Sequence, residues 1–191
     1  MPPLILASTS RYRQELLTRL RLPFEAVAPE VDETPLAGEV PAALAERLAL
    51  AKARAVASLH PHAVVIGSDQ VADLDGEPLG KPGSHEAARA QLQRMSGREV
   101  VFQTAVAVVA PGLAAIERAE VRVRLRPLSD REIETYLLAD QPYDCAGSAK
   151  VESLGIALLD AVVSDDPTAL IGLPLIRTCQ LLRRAGLEPL A

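Results

Sequence analysis

"VVIGSDQVADLDGEPLGKP", residues 64–82, opens as a run of apolar residues and ends in charge. Val64, Val65 and Ile66 read as a buried β-strand, because β-branched side chains pack well on an enclosed pleated surface. Gly67-Ser68 reads as a turn that ends the strand, with Asp69 directly behind it. A carboxylate there is either a turn residue carrying surface charge or part of a site at the strand's carboxyl end, where α/β proteins bind ligands. Asp75-Gly76 predicts a small hairpin, and Lys81-Pro82 falls in the loop beyond it.

Outward from this strand, strand and helix patterns mostly alternate. "PLILASTSR" is a short strand running into a hydroxyl-rich loop, with Ser8, Thr9 and Ser10 as N-cap candidates for the helix "RYRQELLTRL". "FEAVAPEVDETP" predicts a strand that leaves the sheet into an acidic loop, and "PAALAERLALAKARAVASLH" a helix with Pro41 near its start. After the opening strand come a helix at "SHEAARAQLQRMSG" and a hairpin around Pro111-Gly112. Val121, Val123 and Leu125 alternate with arginines in its second arm, which leaves one face wet. Ser129 and Glu132 stand in capping-box spacing at the head of "SDREIETYLLAD". "YDCAGSAKVESLGIALLD" leads through a loop into a last strand, and "LPLIRTCQLLRRAG" closes the chain as an amphipathic helix stopped by Gly186. The expected fold is α/β, a mixed β-sheet flanked by helices, as one domain over residues 1–191.

Composition narrows the function. Hydrophobic residues make up 49% of the 191-residue chain but aromatics only 3%, so the core must be aliphatic. A net charge of −5 with no basic block argues against nucleic acid as a partner. No apolar run approaches the ~20 residues of a membrane span, and no signal segment is evident, so the expectation is a cytoplasmic protein without membrane partners. Cys145 and Cys179 lack metal-like spacing and read as buried free thiols. His60, His62 and His85 lie in polar contexts and read as solvated. Only three of the 20 basic residues are lysines, Lys52, Lys81 and Lys150. In an arginine-rich chain those positions rank as candidates for point contacts with phosphate oxygens, which a planar guanidinium fills less well.

Known nucleotide fingerprints fail. "GEPLGKP" has three residues between its glycines, and Pro82 stands where a P-loop needs a hydroxyl. What remains is a set of strand-exit groups. "ASTSRYR" offers a helix N-terminus, hydroxyls and Arg13 to an anion, and "PEVDET" holds Glu30, Asp32 and Glu33. Solvated loop acids and ordinary helix capping would account for these singly. Together they supply carboxylates for a hard cation and lysines for phosphate charge, with no catalytic histidine or cysteine. That inventory suits metal-assisted phosphoanhydride hydrolysis better than acyl transfer or redox chemistry.

The ordered stretches "LASTSRYRQELL", "PEVDET", the "AxxKA" of "LALAKARA", "IGSDQV", "GKP", "CAGSAKVESLG" and "LIGLPL" resemble the Maf family of nucleoside triphosphate pyrophosphatases over essentially the whole chain. The resemblance implies two lobes around a cleft, related to the inosine triphosphatase group. It also implies cleavage of the α–β bond of a nucleoside triphosphate with a divalent metal cation, Mg or Mn. Under it Asp69 matches the water-activating proton acceptor and Glu33 an acid near the metal and triphosphate, the two acids forming the metal site. Lys52 and Lys81 match lysines facing the phosphates, and Ser8, Ser10 and Arg13 the phosphate-binding loop. Arg11 departs from the family's usual proline. Tyr12, Gln70 and Glu152 look like the specificity positions of the subgroup that prefers 7-methyl-GTP. An aromatic face and a carboxylate would both favour a cationic, N7-methylated guanine. The expected partners are that substrate and at most a second copy of the chain in a homodimer. The alternatives are a dTTP/UTP pyrophosphatase of the same family and a nucleotide-binding regulator of cell division.

Overall fold

A computed structural model describes residues 2–190. Seven strands form one mixed sheet in the order β2-β1-β3-β5-β6-β7, with β4 paired to β3 off this path. β1 (Leu4–Leu6) lies parallel to β2 (Phe24–Ala26) on one side and to β3 (Val64–Leu74) on the other. β3, β5 (Glu99–Ala110) and β6 (Leu113–Leu125) are long antiparallel neighbours, and β7 (Leu159–Val163) closes the sheet. β4 (Glu77–Leu79) folds back on the end of β3 through Asp75 and Gly76, whose positive φ values of 55° and 86° fit the expected tight hairpin. Five helices flank the sheet: α1 (Arg11–Thr18), α2 (Pro41–Ala57), α3 (His85–Met95), α4 (Asp130–Asp140) and α5 (Leu175–Arg184). The α/β expectation holds, and so do the capping box at Ser129 and Glu132 and the hairpin at Pro111-Gly112. No described helix is long and apolar enough to cross a membrane.

The long strands serve two cores on one face. Even-numbered residues of β3 point to that face, and so do those of β5. Val64, Ile66, Val106 and Val108 pack with Leu16, Leu17, Leu181 and Leu182 of α1 and α5 at one end. Ala72, Leu74, Val100 and Phe102 pack with α3 and α4 at the other. Between them the same face carries Ser68, Gln70 and Thr104, a polar seam that separates the two lobes. The opposite face is covered by α2, whose apolar stripe Leu44, Ala45, Leu48, Ala49, Ala53 and Val56 recurs at helical spacing.

One sequence expectation is overturned. Gly67-Ser68 does not turn the chain, since β3 continues unbroken through it to Leu74. Gly67 is required for a different reason. A Cβ there would lie 2.2 Å from the Ala49 carbonyl oxygen and 2.6 Å from the Ala53 nitrogen, so the α2 backbone presses directly on the strand. Asp69 therefore sits in mid-strand. It still lies beyond the carboxyl end of β1, because β1 pairs β3 only as far as Ile66 and β4 begins only at Ala72. Between those points the β3 edge has no strand neighbour on that side.

Gly67→Ala must push helix and strand apart against backbone, not against a yielding side chain. Overpacking of this kind costs typically 1–3 kcal/mol, and here at least about 3 kcal/mol is expected. Urea unfolding followed by circular dichroism measures it. Unchanged stability would contradict the close approach.

Candidate active site

The break in the sheet edge is where the sequence-flagged residues collect. The chain leaves β1 through Ala7 and Ser8, and Ser10 caps α1, its Oγ accepting from the Arg13 backbone N–H at 3.5 Å. Buried Ser8 supports this loop from beneath, its Oγ accepting from the Ser10 N–H at 3.1 Å. The loop and helix start, Thr9 to Arg13, line the opening, and a helix N-terminus suits an anion. The Arg13 side chain turns back across the notch, and its Nε donates to the Gly172 carbonyl at 2.8 Å.

On the α2 side of β3, Lys52 lies within the buried stripe of the helix and is 5% exposed. Its Nζ is 2.7 Å from Asp69 Oδ1 and 2.7 Å from Glu33 Oε1. Asp69 is 7% exposed, whereas the Glu33 side chain is 57% exposed at the mouth. Partial burial works to raise the Glu33 pKa. The Lys52 hydrogen bond and charge, with Lys81 and Arg13, outweigh it and hold the carboxyl below its ordinary value. Desolvation lowers the Arg13 guanidinium, opposed by the charges of Asp69 and Glu33. Those couplings place Arg13 and Lys81 within electrostatic reach of the acid pair. Neighbouring Asp32 is spent on a local turn, accepting from the Thr34 N–H at 2.9 Å.

On the other face a cleft of about 390 Å³ is lined by Ser10, Tyr12, Arg13, Gln70, Lys81 and Glu152 among others. That size lies within the usual range for small-molecule pockets. Six of the ten site residues flagged in the sequence therefore border one cavity. The other four, Ser8, Glu33, Lys52 and Asp69, do not line it. Ser8 lies under its floor, and the remaining three form the cluster around the strand edge. Asp69 and Gln70 are adjacent in sequence yet face opposite sides of β3, one toward α2 and the other toward the cleft.

Several residues behave differently from expectation. The Gln70 amide is partly a structural clamp, its Nε2 donating to Thr104 Oγ1 and to the carbonyls of Ala169 and Leu170 at 3.0, 2.9 and 3.1 Å. The Tyr12 ring is covered by its neighbour. The Arg11 guanidinium carbon lies 4.8 Å from the ring centroid, and Arg11 Nη2 donates to Tyr12 Oη at 3.0 Å. His85 is not simply solvated, for its ring bridges the Tyr143 hydroxyl at 2.9 Å and Glu134 at 3.0 Å. Lys150 caps the end of α4, donating to the Asp140 carbonyl at 2.8 Å. Both cysteines are free, as expected, but half-buried.

Sequence reasoning missed Asp144, and it quoted the stretches that begin at Cys145 and Leu170 without assigning them a place in the site, although all of them border the cleft. Burial, aided by the charge of Asp144 and a hydrogen bond to it, pushes the Cys145 thiol up to about 12, so it is no nucleophile at neutral pH.

The donor set fits a small hard cation. Asp69 and Glu33 converge on one point, while Asp69 Oδ2 and Glu33 Oε2 take no hydrogen bond from any described residue. Magnesium is commonly held by one or two carboxylates plus substrate phosphates and water. Among the described residues no group of three or more metal-ligating side chains gathers here or elsewhere, so the site supplies two carboxylates and leaves the other positions to phosphate and water.

Comparison with known proteins adds the following. A family model described as Maf-like protein matches residues 3–185. A Polaromonas protein named 7-methyl-GTP pyrophosphatase is 68% identical over 96% of this chain and 85% of its own length. Proteins of the same name from Xanthomonas campestris pv. campestris and Bordetella pertussis are 63% and 61% identical. The first match covers 97% of both chains, the second 99% of this chain and 95% of the relative. Among solved structures, the Staphylococcus aureus Ham1 protein is 18% identical with a TM-score of 0.49, over 64% of this chain and 71% of that one.

Two outcomes follow from the geometry. Lys52→Met strands the nearly buried Asp69 carboxylate without its partner, and removing one member of a buried pair costs about 3–5 kcal/mol. Chemical denaturation measures this, and a loss within error of zero would show the pair to be unimportant. Cys145 should resist iodoacetamide at about pH 8 and react faster as pH rises toward its pKa, because only the thiolate attacks. Rapid alkylation at that pH, read by mass spectrometry of the intact protein, would contradict the elevated value.

Proposed function

The chain belongs to the Maf family, and we propose that it hydrolyses 7-methyl-GTP to 7-methyl-GMP and pyrophosphate, removing a modified nucleotide. The observation that carries this reading is the convergence of Asp69, Glu33 and Lys52 beside a cleft lined by Ser10, Arg13 and Lys81 and by the carboxylate of Glu152. Relatives named 7-methyl-GTP pyrophosphatase at 61–68% identity support the substrate.

In this reading Asp69 takes a proton from a water, whose oxygen attacks the α-phosphorus as the α–β bridging bond breaks and pyrophosphate leaves. The ammonium of Lys52 fixes the positions of Asp69 and Glu33 relative to one another. Lys81, Arg13 and the loop at Ser8 and Ser10 bind the phosphates and offset the charge that builds on the leaving group. A divalent metal cation would be held by Asp69 Oδ2 and Glu33 Oε2, and when bound it supplies charge neutralisation on phosphate oxygens and a more acidic water. At the far end Glu152, exposed and without an ion-pair partner among the described residues, accepts the N1–H and amino hydrogens of guanine. Tyr12 offers its ring to a cationic base once Arg11 moves aside, and such a stack is worth about 0.5–1 kcal/mol at an exposed site.

The test is a panel of 7-methyl-GTP, GTP, dTTP and UTP with Mg²⁺ or Mn²⁺, the products separated by ion exchange. Pyrophosphate and 7-methyl-GMP are expected, with 7-methyl-GTP preferred and activity abolished by EDTA. Release of orthophosphate would overturn the reaction, and a preference for dTTP or UTP the substrate. Asp69→Asn should lower kcat by roughly a hundredfold or more, as for other general bases, with the fold retained.

A further inference from the structure

Arg13 and Gln70 both line the cleft, and both are held by one short loop. Arg13 Nε donates to the Gly172 carbonyl at 2.8 Å. Gln70 Nε2 donates to the carbonyls of Ala169 and Leu170 at 2.9 and 3.1 Å. Two carbonyl oxygens can only accept, so the amide nitrogen must face the loop. Oε1 has no partner among the described residues, and none of their buried side-chain polar atoms is left unsatisfied, so Oε1 is the atom that meets solvent in the cleft.

The loop is itself fastened at both ends. On one side the carboxylate of Asp166, wholly buried, accepts from the Arg177 N–H and the Thr168 hydroxyl, both at 3.1 Å. Thr168 Oγ1 also lies 2.8 Å from the Leu173 carbonyl and accepts from the Leu175 N–H at 2.8 Å. On the other side the loop is tied to the sheet by two hydroxyls of zero exposure. Ser68 Oγ shares its proton between the Ala105 and Gly172 carbonyls at 2.8 and 3.0 Å. Thr104 Oγ1 donates to the Ala169 carbonyl at 3.0 Å while accepting from Gln70 Nε2 at 3.0 Å. Ser68 thus fixes the carbonyl that aims Arg13, and Thr104 fixes the carbonyl and the amide that set Gln70.

We infer that loop 169–172 is a two-ended template and that Ser68 and Thr104 are positioning residues with separable tasks. Ser68 orients Arg13 for the phosphates, and Thr104 holds the Gln70 acceptor toward the base. The inference rests on the proposed function for which end is which. Gln70 Oε1 adds to Glu152 a second acceptor at the base end, which suits the N1–H and amino donors of guanine. A pyrimidine such as uracil presents one N–H between two carbonyls and matches that lining less well.

Calorimetric binding of inorganic pyrophosphate, 7-methyl-GMP and UMP in Mg²⁺ tests this without relying on turnover. Neutral hydrogen bonds contribute about 0.5–1.5 kcal/mol, which corresponds to roughly two- to tenfold in affinity. Ser68→Ala should weaken pyrophosphate by about that factor and leave the 7-methyl-GMP to UMP affinity ratio unchanged. Thr104→Val should lower that ratio by a similar factor and leave pyrophosphate unchanged, while Thr104→Ser, which keeps the hydroxyl, should restore it. Equal losses at both ends from either variant would reduce the two hydroxyls to general scaffolding and overturn the inference, and so would no change at either end. Absence of hydrolysis by the unaltered protein would instead overturn the proposed function, and the binding contrasts would still decide the template.

Discussion

Helix α2 lies so close to strand β3 that position 67 has no room for a methyl group. That contact depends on small residues on both sides, Gly67 on the strand and Ala49 and Ala53 on the helix. Its consequence is chemical. A long flexible side chain one turn below, Lys52, enters the sheet side of the helix and reaches Asp69 within hydrogen-bond distance. A larger residue at 67 would move the ammonium and the carboxylate apart, and Glu33 would lose its anchor. The charged cluster is thus an outcome of backbone packing, with the Lys52–Asp69 contact nearly buried and Glu33 reaching it from the exposed mouth.

Much of this was legible in the sequence, and the failures have physical reasons. Helices with caps and apolar stripes, and hairpins with Asp-Gly or Pro-Gly, are specified by neighbours along the chain. Gly67-Ser68 misled because glycine in a strand has two meanings, a turn or a close approach, and only the partner across the interface distinguishes them. The opposite facing of Asp69 and Gln70 follows from strand alternation once β3 is known to be continuous, and is hidden when a turn is placed between Ile66 and Asp69. Ser68, Gln70 and Thr104 did leave a signal, polar residues breaking otherwise apolar strands at alternate positions. Their function was not readable, since the loop they hold is about 100 residues away in the chain for β3, with sequence separations of 104 and 99. Asp144 carried no local pattern that separated it from an ordinary loop, and Cys145 stood out only as the first residue of a quoted motif.

The three rare lysines occupy three different settings. Lys52 occupies a position on the buried helical stripe where the long planar fork of arginine would have to share a narrow space, and its compact charge serves two carboxylates at once. Lys81 stands exposed as one of the side chains lining the cleft. Lys150 answers a different need, closing the carbonyl end of α4. Tyr12 shows the reverse lesson. In a chain with so few aromatics its position beside the phosphate loop was conspicuous, but its ring is shared with Arg11, so any cationic guest competes with a resident cation.

The interruption between β1 and β4 along β3 has a bearing on solubility as well as on chemistry. An open strand edge invites a neighbouring molecule to add its own strand, the first step of many aggregation routes. Here the open stretch spans only Gly67 to Val71, bounded by a paired strand at each end. An intruding strand would collide with β1 or β4 before completing a ladder, and the nearby charges of Arg13, Glu33 and Lys52 would resist desolvation. The recess is long enough to admit a small ligand and too short to admit another chain.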